Sequence, residues 1–372
     1  MQNSAMQIEI VTSNSGFDSL RDSWEALTGT ASNYRIFNSF DCNRLWWDHH
    51  QHLGDLSIFV AIEKQQVLGV APLYRHTSRR FGFLSLDTLS FIGRGASTTP
   101  DDLDFIVDPD HGDTVREALL TAIFSDTTIK RLHLRDLPVN SKTLSALDSF
   151  LSINMDRHVV RKGPVQTRLY QQLPDSWQDY LSSQSRNFRK QFKRRNNRLQ
   201  RTGKAGFTLC HTPDEINQTF DALIKLHHAR WDSKSAADNS AGSESFDEDS
   251  YLSFHREFAQ TLGRKGQLWM QRFELDKELV GVEYAFSHNR CLYLFQTGFL
   301  PQYSQLAPGH IMMSRLIESA IQAGILEIDL LKGDYPYKQS YAGDTRDSQD
   351  IEILRGWPAV LLGRLASLFG RL

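Results

Sequence analysis

Cysteine is scarce in this chain of 372 residues: Cys42, Cys210 and Cys291 stand far apart. Three isolated thiols make neither a metal-ligand spacing nor a disulfide framework, so a reducing compartment is the simple reading and no metal is expected. The signatures G-x-S-x-G, H-E-x-x-H and C-x-x-C are missing. Hydrolase triads and zinc chemistry therefore have no support. No apolar run approaches the roughly 20 residues that span a bilayer. The opening MQNSAMQIEIVTSNSG is polar and lacks the apolar core of a secretory leader. The expected location is the cytoplasm. Net charge is only −2, so any polyanion site must be local.

What remains is an ordinary globular composition, 40% apolar and 23% charged, in a chain long enough for two domains. QIEIVT (7–12) reads as a strand, followed by a helix carrying Phe17, Leu20, Trp24 and Leu27. LSIFVAIEKQQVLGVAPLYR (56–75) reads as two strands around a polar turn at 64–66. A helix over 112–124, a strand over 129–137 and a strand over 164–173 follow. The second half repeats the plan: strand 205–211, helix 214–231, a polar loop, helix 249–263, and strands within 267–286. Strand 290–299, helix 307–324, strand 325–333 and strand 347–356 complete it.

The two hairpins overlay without a gap, Gly54, Leu56, Leu68, Gly69 and Val70 falling on Gly266, Leu268, Val280, Gly281 and Val282. Hairpins with buried faces resemble one another, but the shared order of helix, hairpin, strand, helix and strand favours an internal duplication. The expected fold is α/β, mixed α+β, in two like domains. The expected boundaries are 1–160, 161–356 and a leucine-lined tail, 357–372, able to lie on a membrane surface or on the protein itself.

Residues 186–204, RNFRKQFKRRNNRLQRTGK, hold nine Lys/Arg and no acid. Leu181, Phe188, Phe192 and Leu199 are spaced to form one apolar stripe. The pattern predicts an amphipathic helix with a broad cationic face, and solvated helices usually mix signs. A phosphorylated cofactor or substrate, nucleic acid, or an acidic membrane are the candidate counter-charges. No recognised nucleic-acid module surrounds the stretch, and DNA is not expected.

In CLYLFQTGFLPQYSQLAPGHIMMSRLIESAIQAG a strand ends at Gly298–Phe299 and a helix opens at Pro308–Gly309. Proline suits a first helical turn. The free N–H groups near His310 and Ile311 would face outward at the positive end of the helix dipole, a generic pyrophosphate seat. Many helices begin with Pro-Gly for structural reasons alone. The equivalent helix of the first half opens after VDPDHGD (107–113), whose acids would repel a phosphate.

FNSFDCNRLWWDHH (37–50), VLGVAPLYR (67–75), SRNFRKQFKRRNNRL (185–199), LHHARW (226–231), APGHIMM (307–313) and IDLLKGDYPYKQSY (328–341) occur in that order. Together they resemble the CelD-like, cellulose-biosynthesis-type acyltransferases of the GNAT superfamily, over about residues 8 to 356. That resemblance implies two tandem GNAT-like domains, as in the Fem-type peptidyl transferases. It also implies acetyl-CoA or another acyl-CoA as co-substrate, and a link to exopolysaccharide or cellulose production. In the GNAT fold the strands on either side of the phosphate-binding helix splay, and pantetheine lies in the gap. Phe299, Pro308, Gly309, His310 and Ile311 would then be cofactor-binding. The chain departs from the usual Gln/Arg-x-x-Gly-x-Gly/Ala loop, carrying one glycine in Gln305–His310.

Acyl transfer from a thioester needs a proton acceptor, stabilisation of the carbonyl oxygen and a tolerated thiolate. Glu283, in strand VGVEYAF, is a candidate base; the alternative is an ordinary outward-facing glutamate. Asp329, in an apolar strand, is either working or paired with a cation. The resemblance implies an electrostatic role for Lys338 and a proton-donating or positioning role for Tyr337, set against a surface turn with a snorkelling lysine. The family pattern picks out His227, Arg230 and Trp231 for the substrate. Asp102 and Asp104, with Trp46 and Trp47, are candidates for the acceptor pocket, although the tryptophans suit a core.

The expected activity is acyl-CoA-dependent N-acyl transfer, most simply acetyl transfer. The expected acceptor is an amino sugar, a peptide or an envelope or exopolysaccharide precursor. The alternatives are a Fem-type transferase using aminoacyl-tRNA and a non-catalytic scaffold binding an anionic polymer or membrane.

Overall fold

The computed structural model describes residues 6–30, 34–80, 84–95, 100–153, 158–232, 249–333, 336–341, 343–356 and 358. Two compact units divide the chain: Met1–Gln166 with Asp347–Leu372, and Thr167–Arg346. The polar loop 233–248 and all but residue 358 of the tail 357–372 lie outside the described residues.

The first unit begins β1 (Gln7–Val11), α1 (Asn14–Ser19), α2 (Arg21–Thr30), α3 (Phe40–His50), β2 (Asp55–Leu56), β3 (Ile58–Glu63) and β4 (Gln66–Ala71). It continues β5 (Leu73–Arg80), β6 (Leu84–Phe91), β7 (Ile106–Val107), α4 (Gly112–Ser125), β8 (Arg131–Pro138), α5 (Lys142–Ile153) and β9 (His158–Lys162). The second unit holds β10 (Gln166–Gln172), α6 (Trp177–Ser183), α7 (Arg186–Thr202), β11 (Ala205–Leu209), α8 (Pro213–Asp232) and α9 (Asp249–Arg264). Then come β12 (Leu268–Leu275), β13 (Glu278–His288), β14 (Cys291–Phe299), α10 (Pro308–Gln322), β15 (Glu327–Asp329) and α11 (Pro336–Gln339). The last strand, β16 (Asp344–Arg355), leads back into the first unit. There Ile353 pairs with both Leu132 and Val160. A split at residue 160 that keeps 347–356 in the second half is therefore corrected: hydrogen bonds to β8 and β9 outweigh nearness in sequence.

The second unit's sheet runs β11-β12-β13-β14-β15-β10, antiparallel except for β14 and β15. Its α10 face is apolar: Ala285, Leu292 and Leu294 pack on Met313, Leu316, Ile317 and Ala320. Among the described residues no helix is long and apolar enough to cross a membrane.

The hairpins of the two units share details beyond patterning. Lys64–Gln65 and Asp276–Lys277 both turn with positive φ, as tight hairpin turns require. Each hairpin has a register shift at the equivalent place, Ala61/Ile62 and Phe273/Glu274. A Cβ on Gly69 would lie 2.4 Å from Val115 of α4, and one on Gly281 would lie 2.9 Å from Met312 of α10. In both halves a glycine in the second strand lets the crossing helix lie close.

The apolar stripe of the basic segment is divided between two helices. Leu181 belongs to α6, and Ser185 starts α7 by accepting a hydrogen bond from Phe188 N. Phe188 and Leu199 are buried, each in a core cluster that includes α10 residues. In the first unit Asp108 caps a short 3-10 turn at Pro109–His111, and Asp113 sits in the first turn of α4.

Candidate active site

The site grows from the alternation of side chains along β13. Cross-strand neighbours Gln271, Glu283 and Thr297 share a sheet face with Gly281. That face looks at α10, since Met312 covers Gly281. Glu283 is thus turned inward, 1% exposed, which overturns the outward-facing alternative. The half-buried Thr297 donates its hydroxyl proton to Glu283 Oε1 at 2.7 Å.

β14 and β15 pair through Cys291–Tyr293 with Glu327–Asp329 and no further. Leu330 N continues the ladder to β10, donating to Leu169 O at 2.9 Å, and the next amide, Leu331 N, donates to Asp329 Oδ1 at 2.8 Å rather than to β14, while β14 continues to Phe299 along β13. Phe295 drops out of register, where the pairing shifts between Tyr284 and Ala285. Such a bulge bends a strand. The two strands therefore part, as the resemblance requires.

α10 opens beside this parting. Its N-cap is Ala307, left-handed at φ 56°, and no side chain caps the helix. Ile311 N is bonded to Ala307 O at 3.2 Å and its side chain is buried, so Ile311 is a core residue. Pro308 is buried too. A Cβ on Gly309 would meet only Thr297 Cγ2 at 3.9 Å and Phe299 Cε1 at 4.0 Å. The fold tolerates a side chain there, and glycine leaves the space open. An uncapped helix start with a cradle beside it suits an anionic group.

A cavity of about 680 Å³ lies beside this helix start, lined by His310, Arg195, Tyr337, Phe188, Gln191 and Asn187 among others. His310 stacks on Tyr341, and its Nδ1 lies 3.0 Å from the Tyr341 hydroxyl. That hydroxyl also reaches His310 O at 3.1 Å and Ser314 Oγ at 3.3 Å. Burial, then the charge of Arg195, push the imidazole down to about 4, and burial pushes the Tyr341 phenol up to about 12. Both are neutral near pH 7. Tyr341 thus fills part of the space over the first turn of α10, and the cavity opens to one side of it. Arg195, Thr297, Ser314 and Tyr341 were not singled out in the sequence. Arg195 had a signal: seven residues from Phe188, it sits at the edge of the apolar stripe.

Lys338 is not a snorkelling surface lysine. It is 7% exposed, and its ammonium donates to Lys332 O at 2.6 Å and to Leu331 O at 3.4 Å. It thereby ties down the turn in which Leu331 takes φ 56°. Lys338→Met should cost about 2 kcal/mol, because a buried and a partly buried carbonyl lose a charged donor. A thermal melt at neutral pH tests this, and an unchanged midpoint would return Lys338 to the surface. Tyr337 is half-buried, edge-on to His310. Asp334 and Tyr335 lie outside the described residues.

Asp329 has a cation. Arg346 Nη1 lies 3.4 Å from its Oδ2 and donates to Glu327 Oε1 at 2.7 Å, and Arg346 Nη2 binds Glu327 Oε2. Leu331 N donates to Asp329 Oδ1 at 2.8 Å. His227 is buried on α8, its ring edge-on to His228; the side chains of Arg230 and Trp231 lie outside the described residues.

Asp102 and Asp104 belong to the first unit's own network. Arg35 approaches Asp102 at 3.8 Å, and Ser141 donates to Asp104 at 2.6 Å. Trp46 stacks on His50, and Trp47 Nε1 donates to Asn14. Both tryptophans are core residues.

Residues 186–339 match the acetyltransferase (GNAT) domain family. No protein of curated function matches the sequence. Among solved structures the chain is similar to FemX, at 12% identity and a TM-score of 0.62, over 96% of this chain and 99% of that one. It is also similar to a conserved Bacteroides thetaiotaomicron protein of unknown function: 12% identity, TM-score 0.57, 94% and 100% covered. A third is the C-terminal DUF2156 domain of an Agrobacterium fabrum protein assigned as a lysylphosphatidylglycerol synthetase, at 9% identity and 0.51, with 96% of each covered. The fold is the mixed α/β GNAT type, and residues 186–339 are the part of the chain that matches a GNAT acetyltransferase domain.

Proposed function

We propose that this acyltransferase is CelD-like and uses acetyl-CoA or another acyl-CoA to acylate an amino group on a sugar, a peptide or an envelope precursor in the cytoplasm. One observation carries the donor assignment: β14 and β15 part beside an uncapped α10 whose Gly309 leaves space open. The diphosphate would lie on the N–H groups of Gly309 and His310, with Arg195 offsetting its charge. Tyr341 and Ser314 hold that first turn in place. The acyl-CoA brings the thioester.

As the acceptor nitrogen bonds to the acyl carbon, the carbon–sulfur bond breaks and the thiolate leaves with its electron pair. The nitrogen loses a proton through the Thr297 hydroxyl to Glu283. Backbone N–H groups on the parted stretch of β14 would be the donors for the carbonyl oxygen. A neutral His310 leaves Arg195 as the cavity's cation. Asp329, Lys338 and Ile311 shape this site rather than react in it.

Calorimetry with CoA tests the donor. Saturation in the micromolar range is expected, and Gly309→Leu should weaken it by about fiftyfold, because its side chain would occupy the cradle between α10 and β14. Binding of aminoacyl-tRNA without CoA would replace this reading with the Fem-type one, the alternative to which the similarity to FemX points. Binding of neither would leave a scaffold. Mass shifts in envelope precursors incubated with labelled acetyl-CoA would identify the acceptor.

A further inference from the structure

The cations of α7 outnumber what the acyl-CoA site can use. The helix carries eight Lys/Arg and no acid. Among the described residues none of the eight is in an ion pair, although Arg189 and Arg198 donate to backbone carbonyls and Arg195 faces the cavity. Arg186, Lys190, Lys193, Arg194 and Arg201 are all exposed. At 100° per residue these five fall within about 100° of arc, opposite the buried Phe188 and Leu199. They form a straight ridge about 22 Å long.

The helix cannot roll to hide the ridge. Its seam is locked in the core, Ser185 caps one end, Arg189 holds the carbonyls of Ser182 and Gln184, and Arg198 holds Gln305 O. Like charges fixed in a row repel one another. Along one flank runs a groove of about 470 Å³ whose lining includes Trp177, Leu181 and Phe192 with Arg189, Lys193 and Arg315, the last paired with Glu318 at 3.0 Å.

We propose that this face of the second unit docks on an anionic phospholipid surface. The ridge carries no aromatic side chain, whereas surfaces for single-stranded nucleic acid interleave cations with rings on which bases stack. A straight row of cations suits a plane of phosphates. The flanking groove adds apolar and cationic side chains side by side, which suits one headgroup and its first methylenes. The apolar seam faces inward, so attachment is peripheral and electrostatic, without insertion. This docking does not depend on the acyl-CoA reading.

Co-sedimentation of the full chain with vesicles tests it. Vesicles of phosphatidylcholine with about one-third phosphatidylglycerol should capture the protein in low salt, and pure phosphatidylcholine should not. Each cation near such a surface is worth about fivefold in partitioning, so neutralising Lys190, Arg194 and Arg201 to Gln should weaken capture about a hundredfold. Raising the salt to about 0.5 M should release the wild-type protein, as the charges become screened. The melting midpoint of the triple variant should not fall, since it loses only mutual repulsion, and its CoA affinity should match wild type, since none of the three lines the cavity or the core. Capture that is unchanged in the variant, or absent from anionic vesicles, overturns the proposal. Binding of a 20-nucleotide RNA through these residues, with no vesicle capture, would make the ridge a nucleic-acid surface and equally overturn it.

Discussion

Glu283→Gln should lower kcat by about a thousandfold, within the range that a positioned proton acceptor contributes, and change KM for acyl-CoA by less than about threefold. The amide keeps the shape of the carboxylate and can still accept the Thr297 hydrogen bond of 2.7 Å, so packing against α10 survives. It cannot take a proton. Thr297→Val should lower kcat less, because water can replace the hydroxyl where Thr297 is half-buried. Steady-state kinetics at saturating donor, with a thermal melt of each variant, separates the outcomes. A Glu283→Gln enzyme of near-normal turnover would make the buried acid a structural group, and another residue would have to accept the proton.

Arg346→Ala should destabilise the protein by about 3 kcal/mol or more, because it leaves buried carboxylates without their cation. Glu327 is 8% exposed and Asp329 1%, and both meet the same guanidinium. That guanidinium also lies 3.6 Å above the Tyr170 ring. Lys at 346 should recover part of the loss, since it keeps the charge but cannot bridge both oxygens of Glu327 and stack as well. Denaturant unfolding followed by circular dichroism measures both variants. If Arg346→Ala unfolds at the wild-type midpoint, Asp329 is not held as a structural ion pair, and a catalytic role for it regains weight.

Much of the fold was legible because it rests on short-range rules. Alternation in the two hairpins gave their strands, and the polar pairs Lys64–Gln65 and Asp276–Lys277 fell at the turns. The gap-free overlay of the halves extends to their register shifts. Pro308–Gly309 marked the start of α10. The single stripe through Leu181, Phe188, Phe192 and Leu199 spans two helices, a break that periodicity does not register. Ser185, a good N-cap residue, was the available sign.

The sequence by itself determined the element types, the doubled plan, the cationic helix and the absence of hydrolase and zinc motifs, since each depends on residues close together in the chain. Tertiary structure alone decided that Glu283 points inward, that Lys338 binds Leu331 O and Lys332 O, that Arg346 serves Glu327 and Asp329, and that β16 joins the first unit. A strand has two faces and a turn lysine has many rotamers. The sequence permits each choice, and only partners brought together by folding select one, through the cost of leaving a buried charge or carbonyl unpaired.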